Sequence, residues 1–114
     1  MLMIKNGLYL FTANSREGAD SEVRGILILQ DGQILGGESY VYYTGSYECT
    51  AGQWRGEITS REHTPTTRPT TERVQQIGFL GTYNDAGARI DAGALVGEQS
   101  VRYHATLRFL TASK

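Results

Sequence analysis

Cysteine is nearly missing from this 114-residue chain, with Cys49 the single example. It closes no intramolecular disulfide, and one thiol is no metal framework. The chain therefore reads as a protein of a reducing compartment, folding without staples. Proline is equally scarce, confined to Pro65 and Pro69. No apolar run approaches the roughly 18 residues of a membrane-spanning helix. The opening Met1-Leu2-Met3-Ile4 stretch is too short for a secretory signal, and neither end carries a lipidation pattern. These features read as cytoplasmic. Charge of one sign is lacking too: eleven basic and twelve acidic residues give a net charge of −1. The basic residues are scattered, so no block marks a nucleic-acid surface.

What is present points to sheet. Seven tyrosines and twelve threonines favour strands, and fourteen glycines are close to double the usual share. One domain spanning 1–114 is the expectation. The pattern has period two, broken by turn residues, and no helix stands out. It predicts eight strands over about 5–14, 23–30, 33–36, 40–49, 53–63, 73–83, 88–95 and 99–110. Asp31-Gly32 is the clearest hairpin signal, because both residues tolerate the positive φ of a type I′ turn. Ala51-Gly52, Asn84-Asp85-Ala86-Gly87 and Val96-Gly97-Glu98 mark further turns. The polar stretches 15–22 and 64–72 read as loops. No connection is long enough for a crossover helix, so the strands form an antiparallel meander. Closure removes its edges, which makes the fold class an all-β, eight-stranded up-and-down barrel. A two-sheet sandwich is the competing architecture.

The last strand alternates best. Val101, Tyr103, Ala105, Leu107 and Phe109 share one face, and Arg102, His104, Thr106 and Arg108 the other. The candidate barrel interior comprises Leu10, Tyr43, Trp54, Ile58, Phe79, Tyr103, Leu107 and Phe109. Such rings could line a pocket for a small apolar or amphipathic ligand, or simply fill the core. The second strand is apolar on both faces, through Ile26 and Ile28 against Leu27 and Leu29. A strand apolar on both sides is covered on both sides. With no helix to supply the outer cover, a second copy of the chain is the simplest candidate, which makes Ile26, Leu27, Ile28 and Leu29 an interface expectation and the protein a homodimer.

Catalytic patterns are sparse. The chain has no G-x-G, G-x-S-x-G, H-E-x-x-H or C-x-x-C. His63 and His104 read as a strand-end and a surface histidine, and Cys49 beside Glu48 as structural. No enzyme, metal or cofactor is expected.

The order of short motifs carries a resemblance. Asn6-Gly7-Leu8-Tyr9 opens the first strand. Gly25-Ile26-Leu27-Ile28-Leu29 follows, then Asp31-Gly32-Gln33-Ile34 and Gly36-Gly37-Glu38-Ser39. Tyr42-Tyr43-Thr44-Gly45-Ser46-Tyr47 comes next, then His63, and Tyr103-His104-Ala105-Thr106-Leu107-Arg108 near the end. Over nearly its whole length the chain resembles the GrlR family, named for a negative regulator of type III secretion genes. The resemblance implies a lipocalin-like barrel, a dimer, and regulation by protein binding rather than by contact with DNA. The founding member holds a transcriptional activator through an acidic cluster between its fourth and fifth strands. The matching turn here, Thr50-Ala51-Gly52-Gln53, has no acid, although Glu48 and Glu57 flank it.

Overall fold

The computed structural model describes residues 4–15, 22–65, 74–96 and 99–112. Eight strands follow in order: β1 (Gly7–Ser15), β2 (Glu22–Gln30), β3 (Gln33–Gly37), β4 (Val41–Thr50), β5 (Gln53–Glu62), β6 (Val74–Asn84), β7 (Gly87–Val96) and β8 (Gln99–Ala112). Each pairs antiparallel with its neighbour in sequence, and β1 pairs with β8 to close the barrel. The meander expectation and its closure both hold. Most of the predicted loops at 15–22 and 64–72, and the centre of the turn at Val96-Gly97-Glu98, lie outside the described residues.

Turn chemistry fixes the register. Asp31 (φ 49°) and Gly32 (φ 86°) form a two-residue turn that pairs Gln30 with Gln33, Leu29 with Ile34 and Ile28 with Leu35. Ala51 (φ 52°) and Gly52 (φ 82°) repeat this geometry between β4 and β5. At the β6–β7 turn the Asn84 side-chain oxygen instead accepts from the backbone N–H groups of Ala86 (2.8 Å) and Gly87 (3.2 Å). This is an Asx turn, in which a side chain supplies the acceptor.

Alternation then sorts side chains in and out. The core takes Tyr9 and Phe11 from β1, Leu27 and Leu29 from β2, Ile34 from β3 and Tyr47 from β4. Trp54, Ile58, Phe79, Ala88, Ile90, Ala105 and Leu107 complete it from the later strands, and Ile4 packs in from the segment before β1. Gly56 lets the Phe79 ring lie flat on the β5 backbone, because a Cβ there would meet the ring and the Ser46 carbonyl. A register irregularity in the β1–β8 pairing falls between Leu8 and Tyr9, where partners jump from Thr111 to Phe109. Leu110 is skipped there and stands 43 % exposed.

Candidate functional site

Two surfaces bear on function: the barrel axis and the outer face of β1–β2–β3. Along the axis the aromatic rings meet edge to face, the arrangement favoured by the ring quadrupole. Trp54 contacts Phe79 at 4.7 Å and Tyr47 at 5.7 Å between centroids. Phe11 meets Tyr43 at 5.4 Å, and Tyr9 meets Phe109 at the same distance. The Lys5 ammonium covers the Phe109 ring at 4.3 Å.

The polar tips of these rings find partners. Trp54 Nε1–H donates to the Arg89 carbonyl at 3.1 Å, and the Tyr9 hydroxyl donates to the Lys5 carbonyl at 2.7 Å. The Tyr43 hydroxyl donates to the Glu38 carboxylate at 3.3 Å. Burial pushes the Tyr9 phenol up to about 12, with Tyr47 and Cys49 nearby adding to the effect. Burial also raises the Tyr43 phenol, reinforced by the Glu38 carboxylate. Neutral phenols in a low-dielectric interior are hydrogen-bonding fixtures, not acid–base groups near pH 7.

The expected interior residues divide as follows. Trp54, Ile58, Phe79 and Leu107 are buried in the core, and Tyr43 and Phe109 pack against it. Tyr103 is half-buried on the same β8 face as Ala105 and Leu107. Leu10 is a correction: it lies on the outer face, pairing with Ile26 across β1–β2. Leu8-Tyr9-Leu10-Phe11 is apolar at every position, so alternation alone left its parity open. The aromatic pair went inside, where it fills more of the axis.

Strand β2 needs the same correction. Leu27 (3 % exposed) and Leu29 (0 %) belong to the core and cannot meet a partner. Ile26 and Ile28 face outward, as an interface requires. They do not stand alone. Leu35, Ile28 and Leu8 form one cross-strand row, and Ile26 and Leu10 the next. Leu35 is 54 % exposed, Ile28 38 % and Tyr42, paired with Gly37 beside this group, 41 %. The Asp31-Gly32 turn sets the Ile28–Leu35 pairing, so that row was within reach of sequence reasoning. Leu8 and Leu10 became visible only once β1 had a parity.

Beside this apolar stripe the surface is charged. Arg108 pairs with Leu10 across β1–β8. Arg24 holds Glu22 at 2.7 Å, and Arg55 reaches Glu48 at 3.5 Å. These exposed pairs each contribute at most about 1 kcal/mol. Asp31 carries a reciprocal tie to the segment before β1. Its carboxylate accepts from Asn6 at 2.9 Å, its own N–H donates to the Asn6 oxygen at 3.0 Å, and Gln30 donates at 3.1 Å. The side-chain bonds from Asn6 and Gln30 hold this carboxyl below its usual value.

Both histidines have structural partners. His63 bridges the β3–β4 connection to the end of β5, with Nε2 at 3.0 Å from the Glu38 carbonyl and Nδ1 at 2.7 Å from the Thr64 hydroxyl. His104 Nδ1 lies 3.1 Å from Asp91 on the outer face. Cys49 is half-buried and packs against the core. Among the described residues no three His, Cys, Asp or Glu side chains gather as metal ligands. Among the same residues no helix is long and apolar enough to cross a membrane.

The class that this geometry defines is a closed, eight-stranded, up-and-down β-barrel with a core of its own side chains and an apolar stripe outside. Compared with known proteins, the chain matches no family model and no curated sequence.

Proposed function

We propose that this barrel is a non-enzymatic interaction protein of the GrlR type, acting by protein binding through the outer stripe on β1–β2–β3, with a second copy of the chain as its first partner. The observation that carries this reading is the stripe itself. Leu8, Leu10, Ile26, Ile28 and Leu35 are contiguous in the strand register, whereas the exposed aliphatic side chains Val74 and Leu80 lie apart from them on β6. Exposed apolar patches with polar rims mark interaction surfaces. The β4–β5 turn fits the role less well: it is a tight two-residue turn without acids, and the flanking Glu48 is already paired with Arg55. A regulatory partner of the protein is therefore expected to be held on apolar surface rather than by an acidic loop.

Carriage of a small apolar ligand in the barrel is the lesser reading. Tyr47, Trp54, Phe79, Ile58 and Leu107 occupy the axis that such a ligand would need.

Sedimentation equilibrium of the wild type and of an Ile28→Lys/Leu35→Lys variant tests the proposal. Both side chains are exposed, so the variant keeps its barrel circular dichroism. Dimers at micromolar concentration that become monomers in the variant are expected. A wild type that stays monomeric throughout, or a variant that dimerises equally well, would overturn the reading.

A further inference from the structure

A second site lies on the opposite side of β8 from the stripe. An open groove of about 260 Å³ runs between the end of the β6–β7 hairpin and β8. Thr82, Asn84, Arg89, Thr106 and Arg108 supply its polar lining, with Gly87 among the lining residues between them. The register explains the convergence. Thr82, Arg89 and Thr106 are directly opposite one another across β6–β7–β8, and Arg108 is opposite Gly87. Arg89 and Arg108 are thus diagonal neighbours on one face, within mutual reach of two long side chains. Gly87 has no side chain to fill the space before Arg108, and a Cβ there would strike the Leu107 carbonyl.

The electrostatics are one-sided. Neither guanidinium has an ion-pair partner among the described residues, unlike Arg24 and Arg55. Asp91, two residues along β7 from Arg89 on the same face, bonds to His104 at 3.1 Å and does not line the groove. Asp85 is exposed in the adjoining turn and does not line the groove. Asn84 commits its side-chain oxygen to the turn, which leaves its NH₂ as a donor. The groove therefore offers two guanidinium forks, two hydroxyls and an amide, with no acid in its lining.

We propose that this groove is an oxyanion-binding site whose ligand is a phosphoryl group. Guanidinium forks match the oxygens of such a group two at a time, and the threonine hydroxyls and the amide reach the remaining ones. A doubly charged tetrahedral anion uses donors arriving from three strands better than a planar carboxylate does. The group is carried either by a small phosphate ester or by a phosphorylated side chain of another protein. The site shares no residue with the apolar stripe, so it stands independently of the dimer reading.

Titration of the ¹⁵N-labelled protein with inorganic phosphate at constant ionic strength tests this, read from backbone amides and arginine Nε–H signals. Saturable shifts confined to Arg89, Arg108 and the amides around Gly87 and Thr106 are expected, with a dissociation constant on the order of 1 mM. Each of Arg89→Gln and Arg108→Gln weakens binding about three- to tenfold, and the double variant abolishes it. Arg61→Gln, at the opposite end of the β5–β6 pair, leaves it unchanged. Both groove arginines are exposed, so melting curves of the variants should overlay the wild type. A phosphoserine peptide separates the two sources: tenfold tighter binding than inorganic phosphate assigns a phosphorylated protein, and equal binding assigns a small ester. Shifts that grow linearly, that chloride reproduces, or that persist in the double variant overturn the site.

Discussion

Removing the indole N–H of Trp54 while keeping a ring in its place isolates what the barrel axis contributes. Trp54 is 2 % exposed, it touches Phe79 and Tyr47, and its N–H satisfies the Arg89 carbonyl. Trp54→Phe leaves that carbonyl without its side-chain donor, which costs about 1–3 kcal/mol. The smaller ring also loosens the contacts with Phe79, so a total of about 2–3 kcal/mol is expected. Trp54→Ala empties the site and should cost about 3–5 kcal/mol. A domain of this size has roughly 5–15 kcal/mol in all, so the alanine variant sits near the limit of folding. At about 4 °C per kcal/mol, Trp54→Phe should lower the melting temperature by roughly 8–12 °C. Trp54 is the only tryptophan, so unfolding in urea must be followed by far-ultraviolet circular dichroism rather than by its fluorescence. A Trp54→Phe protein within about 0.5 kcal/mol of wild type would refute the reasoning, because neither the hydrogen bond nor the ring contact would then matter.

Other perturbations follow from the same geometry. Gly56→Ala forces a Cβ onto the Ser46 carbonyl and the Phe79 ring and should cost more than about 2 kcal/mol, whereas Gly78→Ala meets nothing within 4 Å and should be neutral or gain up to about 1 kcal/mol. Chemical denaturation of the pair checks this directly. Ala51 adopts a φ of 52°, which L-residues other than Asn, Asp and Gly resist. Ala51→Asn should therefore stabilise by about 0.5–1 kcal/mol, seen as a raised urea midpoint. Tyr9 and Tyr43 hold their protons more tightly in the folded state than in the unfolded chain. The Tyr9 contribution is fully present below pH 10, the ordinary phenol value, and is lost as the pH rises through about 12, and that of Tyr43 is lost in the same direction. Stability measured across that window should fall less steeply in Tyr9→Phe than in the wild type.

The sequence made the strands and their closure legible because both rest on local signals. Asp31-Gly32 and Ala51-Gly52 set two hairpin registers, and short connections left only an antiparallel meander. Faces were legible where the two sides of a strand differ in chemistry, as in β8, with Leu107 inside and Arg108 outside. They were not legible where both sides are apolar. Leu10 was expected inside and is outside, and Leu27 and Leu29 were grouped with an interface from which the barrel wall separates them. In β1 the decision belongs to packing: Tyr9 and Phe11 fill the axis against Phe109 and Tyr43, which sequence neighbours cannot reveal. The groove at Arg89 and Arg108 was hidden for another reason. Those residues are nineteen positions apart, and only the β7–β8 pairing makes them neighbours.

If the stripe and the groove act as proposed, a small barrel with a filled interior binds through its outer wall. Closed sheets have no free edge to offer, so recognition falls to outward side chains. Here these include a contiguous aliphatic row on β1–β2–β3 and an arginine-threonine group on β6–β7–β8, which meet where Leu10 pairs with Arg108.

Closure of β1 against β8 makes the sheet a barrel and sets the two surfaces side by side, and cross-strand nuclear Overhauser contacts measure it most directly. Contacts linking Phe11 to Leu107 and Ala13 to Ala105 are expected, with the intervening amides protected from hydrogen exchange. If those contacts are missing and the β1 and β8 amides exchange as freely as the turns, the sheet is open and the account fails.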